Sequence, residues 1–247
     1  MSRLARAAGA AALVAGIVAG CLPAPATEEA RATSTLWSQF VIAAAVVGAI
    51  VWGLITIAIL RFRRRSRDAG TVPPQIADSR RLEIAWTILP IVTVIGLFGL
   101  TLVALGKVDA RAPSPRVTVD VIAYRWQWRF DYAGTGISVA GTPDQPAELV
   151  LPAGEPVHIV LTSADVAHSF FVPQFLFKRD AIPGRPNEFD FTITEPGSYA
   201  GQCAEFCGVF HDRMLLVVHA MSRADFDAWL AGHTPAASPS GAPSAAP

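Results

Sequence analysis

Residues 203–214 read Cys-Ala-Glu-Phe-Cys-Gly-Val-Phe-His-Asp-Arg-Met, so two thiols, an imidazole and a thioether fall within one short segment. Thiolate and thioether are soft donors that select copper or iron–sulfur over hard cations, and a mixture of Cys, His and Met suits a copper electron carrier better than tetrahedral zinc. A mononuclear blue-copper site takes one Cys, so the second thiol of the Cys203/Cys207 pair needs its own reason. Two thiolates can bridge two copper ions, each of which then needs a terminal imidazole. The segment itself supplies only His211, and His168, in Asp165-Val-Ala-His-Ser-Phe-Phe-Val-Pro, is the best candidate for the other. An electron shared over two bridged ions spreads the geometric change of redox across both, so such a centre passes electrons and does no bond chemistry. The competing readings are a disulfide, ordinary for two cysteines in an exported domain, and zinc. His211 and Met214 in the same segment weigh against both.

The elements that must hold these residues begin with a membrane anchor. The chain has 247 residues, 52% of them hydrophobic, and a mean hydropathy of +0.40, too apolar for an ordinary soluble protein. Residues 32–60 and 84–106 carry no charged side chain, and each run is long enough to cross a bilayer as a helix. The spacing predicts transmembrane helices over 36–61 and 84–106. The connection, 62–83, is flanked and filled by Arg61, Arg63, Arg64, Arg65, Arg67, Arg80 and Arg81, which places it in the cytoplasm by the positive-inside rule. Residues from 107 onward then lie on the outer face. At the N-terminus, Arg3 and Arg6 precede an apolar run, Ala7–Gly20, as in a signal peptide over 1–20. Val18-Ala19-Gly20-Cys21 resembles a bacterial lipobox, which predicts lipidation of Cys21 and a lipidated tether over 21–35.

After a linker at 107–115, the pattern changes to short β-type runs: Val117–Ala123, Glu148–Leu151, Val157–Thr162, Glu188–Thr194 and Met214–Ala220. Turn signals such as Pro152-Ala153-Gly154, Pro183-Gly184 and Pro196-Gly197 separate them. Several short strands in this length predict a Greek-key sandwich or barrel over 116–232. Ser222 caps an expected terminal helix, and 233–247, rich in Ala, Pro and Ser, reads as a disordered tail. Charge divides along the same line. Residues 1–106 hold ten Lys/Arg and five Asp/Glu, and residues 107–247 hold ten and fifteen. An acidic outer domain argues against nucleic acid and for a basic protein partner steered by long-range attraction.

Four motifs carry a family resemblance: Glu83-Ile-Ala-Trp-Thr-Ile-Leu-Pro at the second span, Arg125-Trp-Gln-Trp at an early strand, Asp180-Ala-Ile-Pro-Gly-Arg185, and Gly201-Gln-Cys-Ala-Glu-Phe-Cys-Gly-Val-Phe-His before Met214. With His168 and the two spans, they resemble subunit II of bacterial haem–copper cytochrome c oxidase from about Leu36 to Leu230. The resemblance implies a membrane-anchored all-β fold, with two transmembrane helices in a hairpin followed by an extracytoplasmic cupredoxin-like domain. It implies a binuclear CuA centre with Cys203 and Cys207 as bridging thiolates and His168 and His211 as terminal imidazoles. Met214 and the Glu205 carbonyl are then the axial ligands. The Glu205 side chain would reach a magnesium or manganese ion shared with subunit I.

Other roles rest on the same resemblance. Trp126 and Trp128, two apart on an expected strand, should point to the same face; by the resemblance Trp126 becomes the exposed ring that receives electrons from cytochrome c, and Trp128 packs. Glu83 marks the mouth of a proton-uptake channel in subunit I. Asp131, Asp144, Glu148 and Asp165 become candidates for docking a basic cytochrome. The partners implied are oxidase subunits I and III, cytochrome c and the bacterial inner membrane. No Cys-x-x-Cys-His occurs in the chain, so the donor haem belongs to another protein. A stand-alone copper carrier would need only an anchor, not the Glu83 segment. A quinol-oxidase relative would have lost the copper ligands. His158, His219 and His233 read as ordinary surface or strand residues.

Overall fold

The computed structural model describes residues 22–63, 75, 78–142 and 144–233. The expected signal peptide, Cys21, most of the arginine-rich connection and the tail from 234 lie outside the described residues. Contacts divide the chain into a unit holding the long helices, Ala32–Val108, and a second formed by Pro23–Arg31 together with the residues from Asp109 onward.

Helices α1 (Glu28–Arg61) and α2 (Arg80–Val108) are both long and apolar enough to cross a membrane. Their sides present Trp52, Leu54, Leu60, Leu89 and Phe98 outward, a surface that only lipid or other apolar protein can cover favourably. Their hydroxyls are satisfied within the helix: Thr56 donates to the Trp52 carbonyl at 2.7 Å, Thr87 to Glu83 at 2.8 Å and Thr93 to Leu89 at 2.9 Å. Such back-bonding is what hydrocarbon demands of a polar group. Glu83 Oε1 accepts the Ser79 N–H at 3.2 Å, closing the first turn of α2 where an acid also suits the helix dipole.

The first helix starts at Glu28 rather than at 36, and the segment before it is no loose tether. Ala26 N donates to the Gln174 carbonyl and Thr194 N to the Ala26 carbonyl, both at 2.9 Å, and Thr27 forms a β-bridge with Ile193. Thr27 Oγ1 then caps α1 by accepting the Ala30 N–H at 3.0 Å. Ala26, Thr27 and Ala30 are small enough to be buried there.

Among the described residues the outer domain has ten strands: β1 Val117–Tyr124, β2 Gln127–Tyr132, β3 Ile137–Ala140, β4 Ala147–Pro152, β5 Pro156–Ser163, β6 His168–Val172, β7 Phe177–Ala181, β8 Asn187–Thr192, β9 Gly197–Cys203 and β10 Leu215–Met221. They form two five-stranded sheets, ordered β3-β2-β1-β5-β8 and β4-β10-β9-β6-β7. Both sheets are mixed: β1 runs parallel to β5 and β10 parallel to β4, and the remaining pairs are antiparallel. The chain passes repeatedly from one sheet to the other in the Greek-key manner. Strict alternation in β1 and β5 buries Val119, Val121, Ile159 and Leu161 between the sheets, as the period of two requires. Tyr132 ties the sheets together, its hydroxyl accepting the Val150 N–H at 2.8 Å and donating to the Val150 carbonyl at 2.9 Å. A terminal helix, α3 (Arg223–His233), is capped by Ser222, whose hydroxyl accepts the Asp225 N–H at 3.2 Å. It lays Phe226 and Trp229 against Tyr132.

The linker is bound as well. Ala112 N donates to Asp190 Oδ2 at 2.6 Å, Arg111 reaches Asp190 Oδ1 at 3.3 Å and the Glu188 carbonyl at 2.6 Å, and His158 Nδ1 lies 2.6 Å from Asp190 Oδ1.

Candidate metal centre

Strands β9 and β10 are antiparallel neighbours, and the segment between them carries the thiols. Cys203 is the last residue of β9 and faces inward by the same alternation that buries Tyr199 and Gly201. Its N–H donates to the Met214 carbonyl at 2.9 Å, so the base of the loop brings Cys203 and Met214 together before β10 begins. The loop is then held to β6 by the Ala204 N–H, which donates to the Ser169 carbonyl at 3.0 Å. Residue 168 opens β6, and its imidazole is fully buried.

The donors converge. Cys203 Sγ lies 3.9 Å from Cys207 Sγ and 3.8 Å from His168 Nδ1. Cys207 Sγ lies 3.5 Å from His211 Nδ1 and 3.8 Å from Met214 Sδ. The Glu205 carbonyl oxygen is 3.2 Å from Cys203 Sγ. Both cysteines are free and buried. The sulfurs are closer than twice a zinc–thiolate bond of about 2.3 Å, so both can touch one ion. Each thiol also has an imidazole within 4 Å, His168 beside Cys203 and His211 beside Cys207.

The two thiols differ in acidity. Burial raises the Cys203 thiol, but hydrogen bonding with His168 and neighbouring backbone outweighs it and holds the pKa down at about 7. Burial, and then the charge on Cys203, push Cys207 up to about 12. Two buried thiolates side by side repel, and a soft cation shared between them removes that conflict. The donor set therefore fits copper, and the sulfur chemistry, together with a Met donor, fits it better than zinc.

Asp165 completes this arrangement from behind. Its Oδ1 lies 2.9 Å from His168 Nε2, so the imidazole is tied at one nitrogen and free at Nδ1, the nitrogen that faces Cys203. Its Oδ2 accepts the Arg125 N–H at 2.8 Å and Arg125 Nε at 3.2 Å. Burial would raise this carboxyl, but these hydrogen bonds, with His168 the first of them, hold it well below the usual carboxylate range. The sequence suggested Asp165 for docking a partner; in the structure its carboxylate is engaged by His168 and Arg125, and so orients the imidazole. Asp131 is similarly occupied, by Arg129 at 3.1 Å and Ser138 at 2.5 Å.

The aromatic pair differs from expectation. Trp126 and Trp128 do not share a strand face, because Trp126 sits in the tight turn between β1 and β2. Its ring is half-buried rather than exposed, meeting Phe210 edge-on with centroids 4.9 Å apart. Trp128 is fully buried, its ring 5.9 Å from Phe170 and 6.4 Å from His168. Glu205 divides in two: its carbonyl faces the thiols, and its exposed carboxylate pairs with Lys178 at 3.2 Å, which also reaches Asp180 at 3.1 Å. His158, His219 and His233 bond to Asp190, Ser198 and the Trp229 carbonyl respectively.

Comparison with known proteins agrees with this architecture. The profile of the family "Cytochrome C oxidase subunit II, transmembrane domain" matches residues 16–102, and that of "Cytochrome C oxidase subunit II, periplasmic domain" matches residues 143–221. The chain is 37% identical over 239 residues to a probable cytochrome c oxidase subunit 2 of Streptomyces avermitilis, covering 81% of this chain and 75% of that one. It is 34% identical over 258 residues to cytochrome c oxidase subunit 2 of Corynebacterium glutamicum, covering 81% and 72%. Among solved structures, the periplasmic domain of subunit II of the Bradyrhizobium japonicum cytochrome oxidase is similar at 28% identity and a TM-score of 0.47, over 50% of this chain and 96% of that one. Two lipid-facing helices ahead of a β sandwich with a thiolate-rich loop are thus matched on both sides of the membrane boundary, and the chain belongs to the family of cytochrome c oxidase subunit II.

Proposed function

We propose that this subunit receives electrons from a cytochrome c on the outer face of the bacterial cell membrane. It passes them to haem in subunit I, where oxygen is reduced to water with coupled proton pumping. The observation that carries the reading is the convergence of His168, Cys203, Cys207, His211 and Met214 on one buried spot. A binuclear copper centre of the CuA type would be held by Cys203, Cys207, His168 and His211, with Met214 and the Glu205 carbonyl as further donors. When bound, the copper pair supplies reversible one-electron exchange at low reorganisation.

The chain's own residues do the rest. Asp165 fixes the His168 ring so that only Nδ1 is offered to metal. Fully buried Trp128, Phe170 and Met214 exclude water from the thiols, and the two antiparallel strands hold both sulfurs in place whatever the redox state. Trp126 is the electron-accepting ring toward the donor. The Glu205 carboxylate, an oxygen donor on the outer side of the same loop, suits a magnesium or manganese ion shared with subunit I. Glu83, at the start of α2, marks a proton-uptake mouth in the assembled oxidase with subunits I and III. At the N-terminus, residues 1–20 act as a signal peptide and Cys21 is lipidated, which mass spectrometry of the mature chain tests directly.

Copper content and electron paramagnetic resonance of the purified chain test the centre. Two coppers per chain with one electron delocalised over both nuclei are expected. A single copper with a mononuclear spectrum, or a Cys203–Cys207 disulfide that persists after reduction, would falsify the assignment.

A further inference from the structure

The Trp126 indole rests on the metal loop itself. Gly208, the residue after Cys207, has a φ of 124°, and a β-carbon added there would lie 3.3 Å from both Cζ2 and Nε1 of Trp126. The ring thus faces bare backbone across a space that one methyl group would overfill, so a side chain at 208 would push the ring outward by a few tenths of an ångström. On a second side Phe210 meets the indole at 89°, with centroids 4.9 Å apart. Phe210 is in turn backed by Arg213, whose guanidinium carbon is 5.7 Å from the ring centre. The indole N–H is buried and finds no acceptor among the described residues, so packing alone holds the ring. Beside it lies an open cleft of about 490 Å³, walled by Tyr124, Arg125, Phe210 and Arg213. A ring released from its contacts has somewhere to go.

We propose that Gly208 and Phe210 are positioning residues that seat the Trp126 ring on the peptide next to Cys207, making a single van der Waals gap the only break between indole and ligand thiolate. The proposal rests on the reading of Trp126 as the electron-accepting residue. The step moves one electron and no atom: the donor is oxidised by one electron and the metal held by Cys203 and Cys207 is reduced by one. Tunnelling decays more steeply across a gap than along bonds, so the width of that gap sets the rate. Glycine at 208 keeps it closed from below, Phe210 keeps the ring from sliding into the cleft, and Arg213 supports Phe210 through its cationic face.

The test uses the whole oxidase and photoinjection of electrons from a ruthenium-labelled mitochondrial cytochrome c. Trp126→Ala should slow reduction of the copper centre by about a hundredfold, and Phe210→Ala and Gly208→Ala by about tenfold each, as expected for misplacement of a reacting group by an ångström or less. In the Trp126→Ala background neither should slow it further, because the three act as one unit. The copper resonance spectrum of Phe210→Ala should match the parent's, and this variant decides the matter if Gly208→Ala disturbs the loop. A second readout is independent of turnover. With 5-fluorotryptophan incorporated, the fluorine resonance assigned to Trp126 in the metal-free chain should shift or broaden in Phe210→Ala. A slow Trp126→Ala beside a fast Phe210→Ala, or a fluorine resonance that stays in place, overturns the seat alone. A parental rate in Trp126→Ala overturns the electron-accepting reading and the seat with it.

Discussion

At the scale of single residues, Asp165 joins the two halves of the site. One carboxylate oxygen orients His168 and the other holds the backbone and side chain of Arg125, directly before Trp126. Replacing it with Asn keeps the shape and removes the charge that favours the Nδ1-ligating tautomer. Copper affinity of Asp165→Asn, measured by competition with a chelator, should fall by about 10–100-fold, the usual loss on removing a partner of a ligating histidine. Parental affinity combined with an altered salt dependence of electron uptake would return Asp165 to a docking role. The candidate donors were legible in the sequence because Cys203, Cys207, His211 and Met214 crowd soft and borderline donors into one short segment, a mixture that suits copper, and the structure brings them to within 4 Å of one another in successive pairs. The role of Asp165 was not, since its partner Arg125 is 40 residues away in sequence and is brought to it by the parallel pairing of β1 with β5. The half-buried state of Trp126 escaped for a similar reason: two aromatics two apart look like one strand face until a turn falls between them.

At the scale of elements, the sequence revealed the strands whose side chains alternate and concealed those whose environment does not. β1 and β5 alternate strictly between buried and half-buried positions. By contrast β6 is a nearly continuous buried run, covered on both faces, and β9 contains two glycines, which lack a side chain to signal either face. The bound linker was also invisible, because Asp190 reads as a solvated strand acid until Arg111, Ala112 and His158 close on it. Burial would raise the Asp190 pKa, but hydrogen bonds from His158, Ala112 and Arg111 outweigh it and leave the group below its usual value. A folded-state pKa below the unfolded one contributes stability above the unfolded value, and that contribution is lost as pH falls through the folded value. Asp190→Asn should therefore lower the thermal midpoint of the outer domain at neutral pH. Between pH ~5 and ~3 the parent's midpoint should fall more steeply, so the two curves converge. Parallel curves over that range would show that Asp190 carries no linked charge.

At the scale of the whole molecule, two exposed carboxylates carry the roles proposed for the assembled oxidase. Glu205 sits beside the thiols with its acid turned away from them, and Glu83 lies at the start of α2. Glu205→Gln should lose the second, hard metal ion while the copper spectrum is unchanged, read by metal analysis of the purified oxidase. Glu83→Gln should slow turnover and proton uptake with copper reduction at the parental rate. If turnover is unaffected, Glu83 is a helix cap only. The broad plan, two spans and an outer β domain, was legible because hydrophobic run length and arginine placement report it directly. The fate of residues 23–31 was not, since nothing in Ala-Pro-Ala-Thr announces a partner on β8 and the residues beyond it.

That segment bears on how the chain is made. Ala26 and Thr27 belong to the outer domain, yet they are synthesised before either span, and their partners Ile193 and Thr194 come long after both. These contacts can form only when the N-terminal flank and the C-terminal part of the domain lie on the same side of the membrane. A chain with one flank stranded across the bilayer would leave the Thr194 N–H without its acceptor and Thr27 without its bridge, and a protease trimming past Ala26 would remove the same contacts.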